Sequence, residues 1–473
     1  MRSRAVVAAQ ILVGSLTILS GCALKDPPDH AQVTHDALPN VPIPEAWQSA
    51  AGAGGVEDQW LATFADATLD ALVAEAIFAN PDMRITAARV EQAAAQLKAA
   101  GSYLLPAVGA LGRTGGKLGG DFTGTSGVLF KAVWEGDVWG RVRYGNRAAR
   151  ETFFSVADDL AAARQSLVGL IAKAWFLAIE SRLQRDIARQ VVADSERLVS
   201  VAEDRARVGS GNDLDTTLAE QTLQTSRDAL AQIELAYVQA VRAVELLVGR
   251  YPAAALEPAA VLDALADAAP AGLPSELLER RLDVMAAEHR IRAAFSNVEA
   301  ARAARLPTIS LSAGISHITS DLFQLQKRDD WVKSVGGTSV LPIFDGGYLK
   351  AQVEARTAEQ REALALWAKV GLNAFSEVES ALAAEASLRE REPILSKQLD
   401  LSQHALDLEQ VRYRVGATDL RTVLQQQMVV YSVRTSLLRV QSEQRVQRVN
   451  LYLALGGDFG IEQALATANA MPH

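Results

Sequence analysis

One turn occurs twice in this chain, and no other feature narrows the choice of fold so far. Arg207-Val208-Gly209-Ser210-Gly211-Asn212-Asp213-Leu214 returns, one residue shorter, as Arg414-Val415-Gly416-Ala417-Thr418-Asp419-Leu420. In each, a glycine can take the left-handed conformation that ends a helix, and polar residues follow that can cap the next one. Before the second turn, Ile394, Leu401, Leu408 and Val415 recur every seven residues, the spacing of a coiled-coil seam. After it, Leu420, Leu424, Met428, Tyr431, Thr435, Leu438, Val446, Val449 and Leu453 form a stripe at three and four. In the first copy the stripe after the turn is Leu230, Ile233, Tyr237, Val241, Val244 and Val248. Each turn is therefore read as the tip of a helical hairpin whose longer arm is on the order of 100 Å.

The duplication reaches beyond the tips. Asp82 to Pro106 and Asp283 to Pro307 have equal length, each a helix closed by proline. Strand-like sequence follows both. Val128, Phe130, Ala132 and Trp134 share one face, with Leu129, Lys131, Val133 and Glu135 on the other. After Pro307, Ile309, Leu311, Ala313 and Ile315 alternate with Ser310, Ser312, Gly314 and Ser316. An apolar face opposite a small polar face, over about ten residues, fits a transmembrane β-strand better than a soluble hairpin. Asp137-Val138-Trp139-Gly140-Arg141 and Phe344-Asp345-Gly346-Gly347-Tyr348 then lead back into helix.

The resulting map has a signal peptide at 1–21 and a lipidated, extended tether at 22–60. A first repeat at 61–268 holds a helix, strands 107–117 and 126–136, helix 141–208, tip 209–213 and helix 213–248. A second at 269–457 holds helix 275–305, strands 308–318 and 331–341, helix 347–415, tip 416–419 and helix 419–455. A tail follows at 458–473. The fold class is mainly α with a small membrane β part.

The leader places Arg2 and Arg4 before the apolar stretch Ala5 to Leu19 and ends in Leu19-Ser20-Gly21-Cys22. Those small residues before the chain's single cysteine resemble the bacterial lipobox, so Cys22 is the expected lipid attachment site. Ala23 after it points to the outer membrane. One cysteine excludes an internal disulfide. A net charge of −9 without a basic run argues against nucleic acid. The mature chain has no run of eighteen apolar residues, which argues against a spanning helix.

No catalytic pattern emerges. His30, His35, His289, His317, His404 and His473 show no ligand spacing, and His317 is expected at a wet strand end. Gly112-Arg113-Thr114-Gly115-Gly116-Lys117 is one residue short of a phosphate-cradling loop and lacks the following Ser or Thr. No enzyme activity, cofactor or metal is expected.

Gln59-Trp60-Leu61-Ala62-Thr63-Phe64 with Asp66 and Leu69, Asn80-Pro81-Asp82-Met83, Trp134 to Arg143, Leu214-Asp215 with Ala219-Glu220, and Pro342 to Gly347 together resemble the TolC-like outer-membrane efflux factors. The likeness is to the lipoprotein (NodT-type) branch that serves resistance-nodulation-division pumps. It implies a homotrimer whose copies pool four strands each into one β-barrel, continued by a periplasmic α-barrel. It also implies a periplasmic membrane-fusion adaptor and an inner-membrane resistance-nodulation-division transporter as partners. The implied tip site comprises Gly209, Asp213, Gly416, Asp419, Thr422 and Gln425, which form the periplasmic aperture and dock the adaptor. Many relatives carry an aspartate where this chain has Gln425, so a hydrogen-bonded ring of Thr422 and Gln425 is expected in place of a charged one. Physics requires that several chains pool their strands, while the number three comes from the resemblance: an open four-stranded sheet in lipid leaves edge amides and carbonyls unpaired, and single-chain barrels need about eight strands. The rival reading is a coiled-coil envelope scaffold lipoprotein without a pore, in which both strand pairs would be open to protease.

Overall fold

The computed structural model describes residues 24–49, 54–56, 58–113, 125–262, 265, 268–320 and 331–459. Cys22 and most of the tail at 458–473 lie outside them. The chain divides into two compact units, and each takes residues from both sequence repeats. One comprises Met1–Val41, Ala88–Asp159 and Asp283–Val370; the other comprises Pro42–Ala87, Leu160–Leu282 and Gly371–His473.

The helices are α1 (His30–Ala37), α2 (Ala67–Ala79), α3 (Pro81–Ser102), α4 (Arg141–Arg207), α5 (Asp213–Val248), α6 (Leu277–Arg280), α7 (Leu282–Ala303), α8 (Tyr348–Arg414) and α9 (Leu420–Ala454). The strands are β1 (Ala107–Arg113), β2 (Thr125–Gly136), β3 (Thr308–Ser320) and β4 (Val332–Val340). Helix α4 contains an eighteen-residue window with mean hydropathy 1.2, long and apolar enough to cross a membrane, but half of that window is buried within the protein.

The first unit carries the sheet, of order β1-β2-β3-β4 with every neighbour antiparallel. Indole groups tie its Pro106/Pro307 end: Trp134 Nε1 donates to the Leu104 carbonyl at 3.0 Å, and Trp139 Nε1 to that of Pro307 at 2.8 Å. Both exits into helix are capped by aspartate. Asp137 accepts from the amides of Val142 and Arg143, and Asp345 from those of Gly347 and Leu349. Gly140 and Gly347, at matching places in the repeats, take φ of +80° and +90° there.

The extended tether expected at 22–60 contains a helix. Asp29 accepts the Gln32 amide at 2.8 Å and caps α1, which seats Val33 in the interior. His30 Nδ1 meets Glu288 of α7 at 2.7 Å, and its ring stands edge-on to Trp367. A single 3₁₀ turn, Trp60–Phe64, closes the tether in the second unit.

The second unit is built on an aromatic core. Trp60 stacks on Tyr452 with ring centroids 5.7 Å apart, and Phe64 tilts onto Phe176. Asp66 serves twice: Oδ1 caps α2 through Thr68 and Leu69, and Oδ2 accepts the Trp175 indole at 2.6 Å. A buried ion pair, Arg448 with Glu385, bridges α9 to α8.

Two helical expectations need correction. The single helix at 275–305 is instead a 3₁₀ turn (Pro274–Glu276), the short α6, a break and α7. At the break Arg281 adopts extended backbone, and its guanidinium donates to the Ala454 carbonyl and to Glu377. Tertiary bonding overrides local helix propensity there. The heptad Ile394, Leu401, Leu408 and Val415 does not face the interior of this chain: these residues are 52–74% exposed. Helix α8 buries Leu388, Ser402, Leu406 and Tyr413 instead.

Candidate functional site

Both tips end their long helix the same way. At the first, Gly209 N–H donates to the Ala206 carbonyl and Ser210 N–H to that of Arg205. At the second, Gly416 N–H donates to Tyr413 and Ala417 N–H to Arg412. With φ of +71° at Gly209 and +78° at Gly416, each is a Schellman closure. The caps that follow differ. Asn212, not Asp213, caps α5, its Oδ1 accepting the Asp215 amide at 2.8 Å. Asp419 caps α9 with one oxygen that accepts both the Thr422 amide at 2.9 Å and the Thr422 hydroxyl at 2.7 Å. The bonds from Thr422 hold the Asp419 carboxyl below the usual carboxylate range. Gln425, one turn further, is exposed.

The tips touch through residues that the sequence did not single out. Arg205 of α4 lies over the Tyr413 ring, 4.4 Å from its centroid, and donates to the Tyr413 carbonyl at 2.7 Å. Behind this contact, Leu406, Tyr413, Leu420, Val423, Leu424 and Val430 form a small core with Ala202 and Ala219. A cleft of about 460 Å³ opens beside it, lined in part by Asp194, Gln410, Gln427 and Tyr431. Gln427 donates to the Tyr431 hydroxyl, which donates on to Asp194 at 2.8 Å. Burial pushes the Tyr431 hydroxyl well above its ordinary range, so it remains a donor. No spacing within one helix flags Arg205 with Tyr413, because the pairing crosses between the two repeats.

The sheet is the other functional element. Cross-strand partners share a face, so the register sorts every residue. One face runs through Val108, Val128, Phe130, Ala132, Trp134, Ile309, Leu311, Ala313, Ile315 and Val335. The other runs through Gly109, Lys131, Glu135, Ser310, Ser312, Gly314, Ser316, Ser334, Gly336 and Thr338, with Leu111, Leu129, Val133 and Val332 among them. Among the described residues nothing covers the apolar face: Val335 is 91% exposed and Val108 is 77% exposed. β1 and β4 each pair on one side only. His317 lies within β3, paired with Val128 on the apolar face and not at a wet strand end as expected, with its ring 5.5 Å from that of Trp331.

Such a sheet is stable only where lipid replaces water on one face and another strand completes each edge. Comparison with known proteins agrees. The family model for outer membrane efflux proteins matches residues 72–250 and 273–457, one segment per repeat. The pyoverdine export outer membrane protein OpmQ of Pseudomonas aeruginosa is 30% identical over 94% of this chain and 96% of its own. The cation efflux system protein CusC of Escherichia coli is 28% identical over 93% and 97% respectively. Among solved structures, the outer-membrane channel OprN superposes with a TM-score of 0.80 at 25% identity, covering 89% of this chain and 99% of that one. A CusC structure gives 0.79 at 28% identity, covering 91% and 99%. The chain belongs to the outer membrane efflux protein family.

Proposed function

We propose that this protein is the passive, trimeric exit duct of a tripartite efflux system, anchored through acylated Cys22. It is an outer-membrane efflux channel, and members of its family are channel proteins rather than enzymes. The observation that carries the oligomer is the sheet of four strands with two unpaired edges and an uncovered apolar face. Each unsatisfied edge group in hydrocarbon costs several kcal/mol, so the copies must pool their strands. Three copies would close one barrel of twelve.

The tips, with Gly209, Asp213, Gly416, Asp419, Thr422 and Gln425, are proposed as the periplasmic aperture and the docking surface of a membrane-fusion adaptor, itself held by an inner-membrane resistance-nodulation-division transporter. The Thr422 hydroxyl already donates to Asp419, so it is left to accept. The exposed Gln425 amide supplies the donors for a ring between copies. CusC is named for cation efflux and OpmQ for pyoverdine export, so one architecture accompanies quite different cargo. The partner pump is therefore assigned the choice of cargo.

The test is detergent extraction followed by mass measurement and planar-bilayer recording. Trimers that pass ions support the duct. A lone subunit without conductance, and strand pairs that protease cuts in intact outer membrane, would favour the scaffold. Gln425→Ala should raise single-channel conductance; an unchanged conductance and voltage response would remove the ring.

A further inference from the structure

Lys131 sits mid-way along β2, and its ladder partners are Gly109 on one side and Gly314 on the other. Gly314 in turn faces Ser334, so this row of the sheet offers one long charged side chain among glycine and serine. The rows immediately above and below on the same face carry no charge. Lys131 is exposed and has no ion-pair partner among the described residues. The carboxylate two rows away, Glu135, is already bound by Arg141 at 2.9 and 2.5 Å. A Cβ built on Gly109 would meet nothing within 4 Å, so the lysine stem does not lie across that neighbour. Lys333 is on the opposite, apolar face, opposite Ile315 and near the strand end. There a lysine's long stem can carry its ammonium toward the membrane surface.

The hydroxyl-rich face is the one that meets water when the barrel closes. We infer that Lys131, once per copy, forms a cationic ring inside the barrel that binds phosphate- or carboxylate-bearing solutes on their way out. The inference rests on the pooled-barrel reading and adds the sign of charge that the barrel favours. An ammonium held without a neighbouring carboxylate is free to bind an anion by charge-assisted hydrogen bonds. Several such charges around one lumen act together over about 8 Å at physiological salt and about 30 Å at 0.01 M.

The experiment uses the purified full-length protein in planar bilayers, with tripolyphosphate added on the barrel side. Lys131→Gln is expected to raise the half-blocking concentration about tenfold, equivalent to losing one good charge-assisted contact. In a salt gradient, the ratio of cation to anion permeability should rise about threefold in the same variant, and further in Lys131→Glu. Lys131→Arg should keep the block, and Lys333→Gln should leave block and reversal potential unchanged. Equal block in wild type and Lys131→Gln would overturn the inference while leaving the duct intact, as would a matching loss in Lys333→Gln. A wild-type protein that passes no current would overturn the duct reading and the ring with it.

Discussion

The two tips share a closing glycine and differ in nearly everything that follows it. After the second, α9 begins with Leu420 and Val423 both fully buried, and the cap residue Asp419 holds the Thr422 amide and hydroxyl together. After the first, α5 begins with Leu214 more than half exposed, and a neutral Asn212 makes a single capping bond. The first tip also contains the extra residue, and Gly211 fits there only because it lacks a side chain. Its long arm is held by Arg205 reaching onto the second tip at Tyr413. Duplication thus gave one packed tip and one that leans on it. In the aperture proposed above, the packed second tip would serve as the post and the less packed first tip as the moving part.

This asymmetry can be broken by substitution. Leu420→Ala should do most damage, about 2–5 kcal/mol by thermal or denaturant unfolding, because a fully buried leucine leaves a cavity. Gly211→Ala should follow at about 1–3 kcal/mol. A new Cβ there would stand 2.9 Å from the Ala206 nitrogen and 3.0 Å from the Arg205 carbonyl carbon, and neither backbone atom yields cheaply. Asn212→Ala should cost about 1 kcal/mol, the ordinary value of a lost cap.

Asp419→Asn sharpens the contrast through pH. The Asp419 carboxyl titrates below its unfolded value, so the stability it adds is present above the unfolded pKa of about 4 and is lost as pH falls through the lower folded value. The melting temperatures of wild type and Asp419→Asn should therefore differ at pH 6, and the difference should shrink as pH falls below about 4. The Asn212→Ala difference should persist across that range. Leu214→Ala should be smallest, within about 0.5 kcal/mol, as expected of an exposed site. An equal cost at Leu214 and Leu420 would abolish the distinction between post and moving part.

The tips and strands were legible because their signals are local. Glycine at a left-handed position and period-two alternation need no knowledge of partners. Helix α1 was not expected in the extended tether, although Asp29 followed three residues later by Gln32 is a capping-box pattern: the surrounding prolines outweighed it. The break at Arg281 was not legible. It has no proline or glycine, and its cause is a carbonyl at Ala454, far along the chain. The exposed heptad of α8 shows a different limit: a period of seven announces an apolar stripe without naming what it meets. Sheet order was equally hidden, because the central β2–β3 pairing joins the two repeats.

Disulfide scanning tests the pooled sheet most directly. A cysteine at Gly109 on the β1 edge is combined in turn with one at each position from 332 to 340 on the β4 edge. Within one chain these edges stand three strand spacings apart, about 14 Å, too far for a disulfide. Oxidation in outer membranes should give covalent species that stop at three copies, from one register of β4 positions and not from its neighbours. Monomers alone at every position, or a ladder continuing past three, would contradict a barrel shared among three copies.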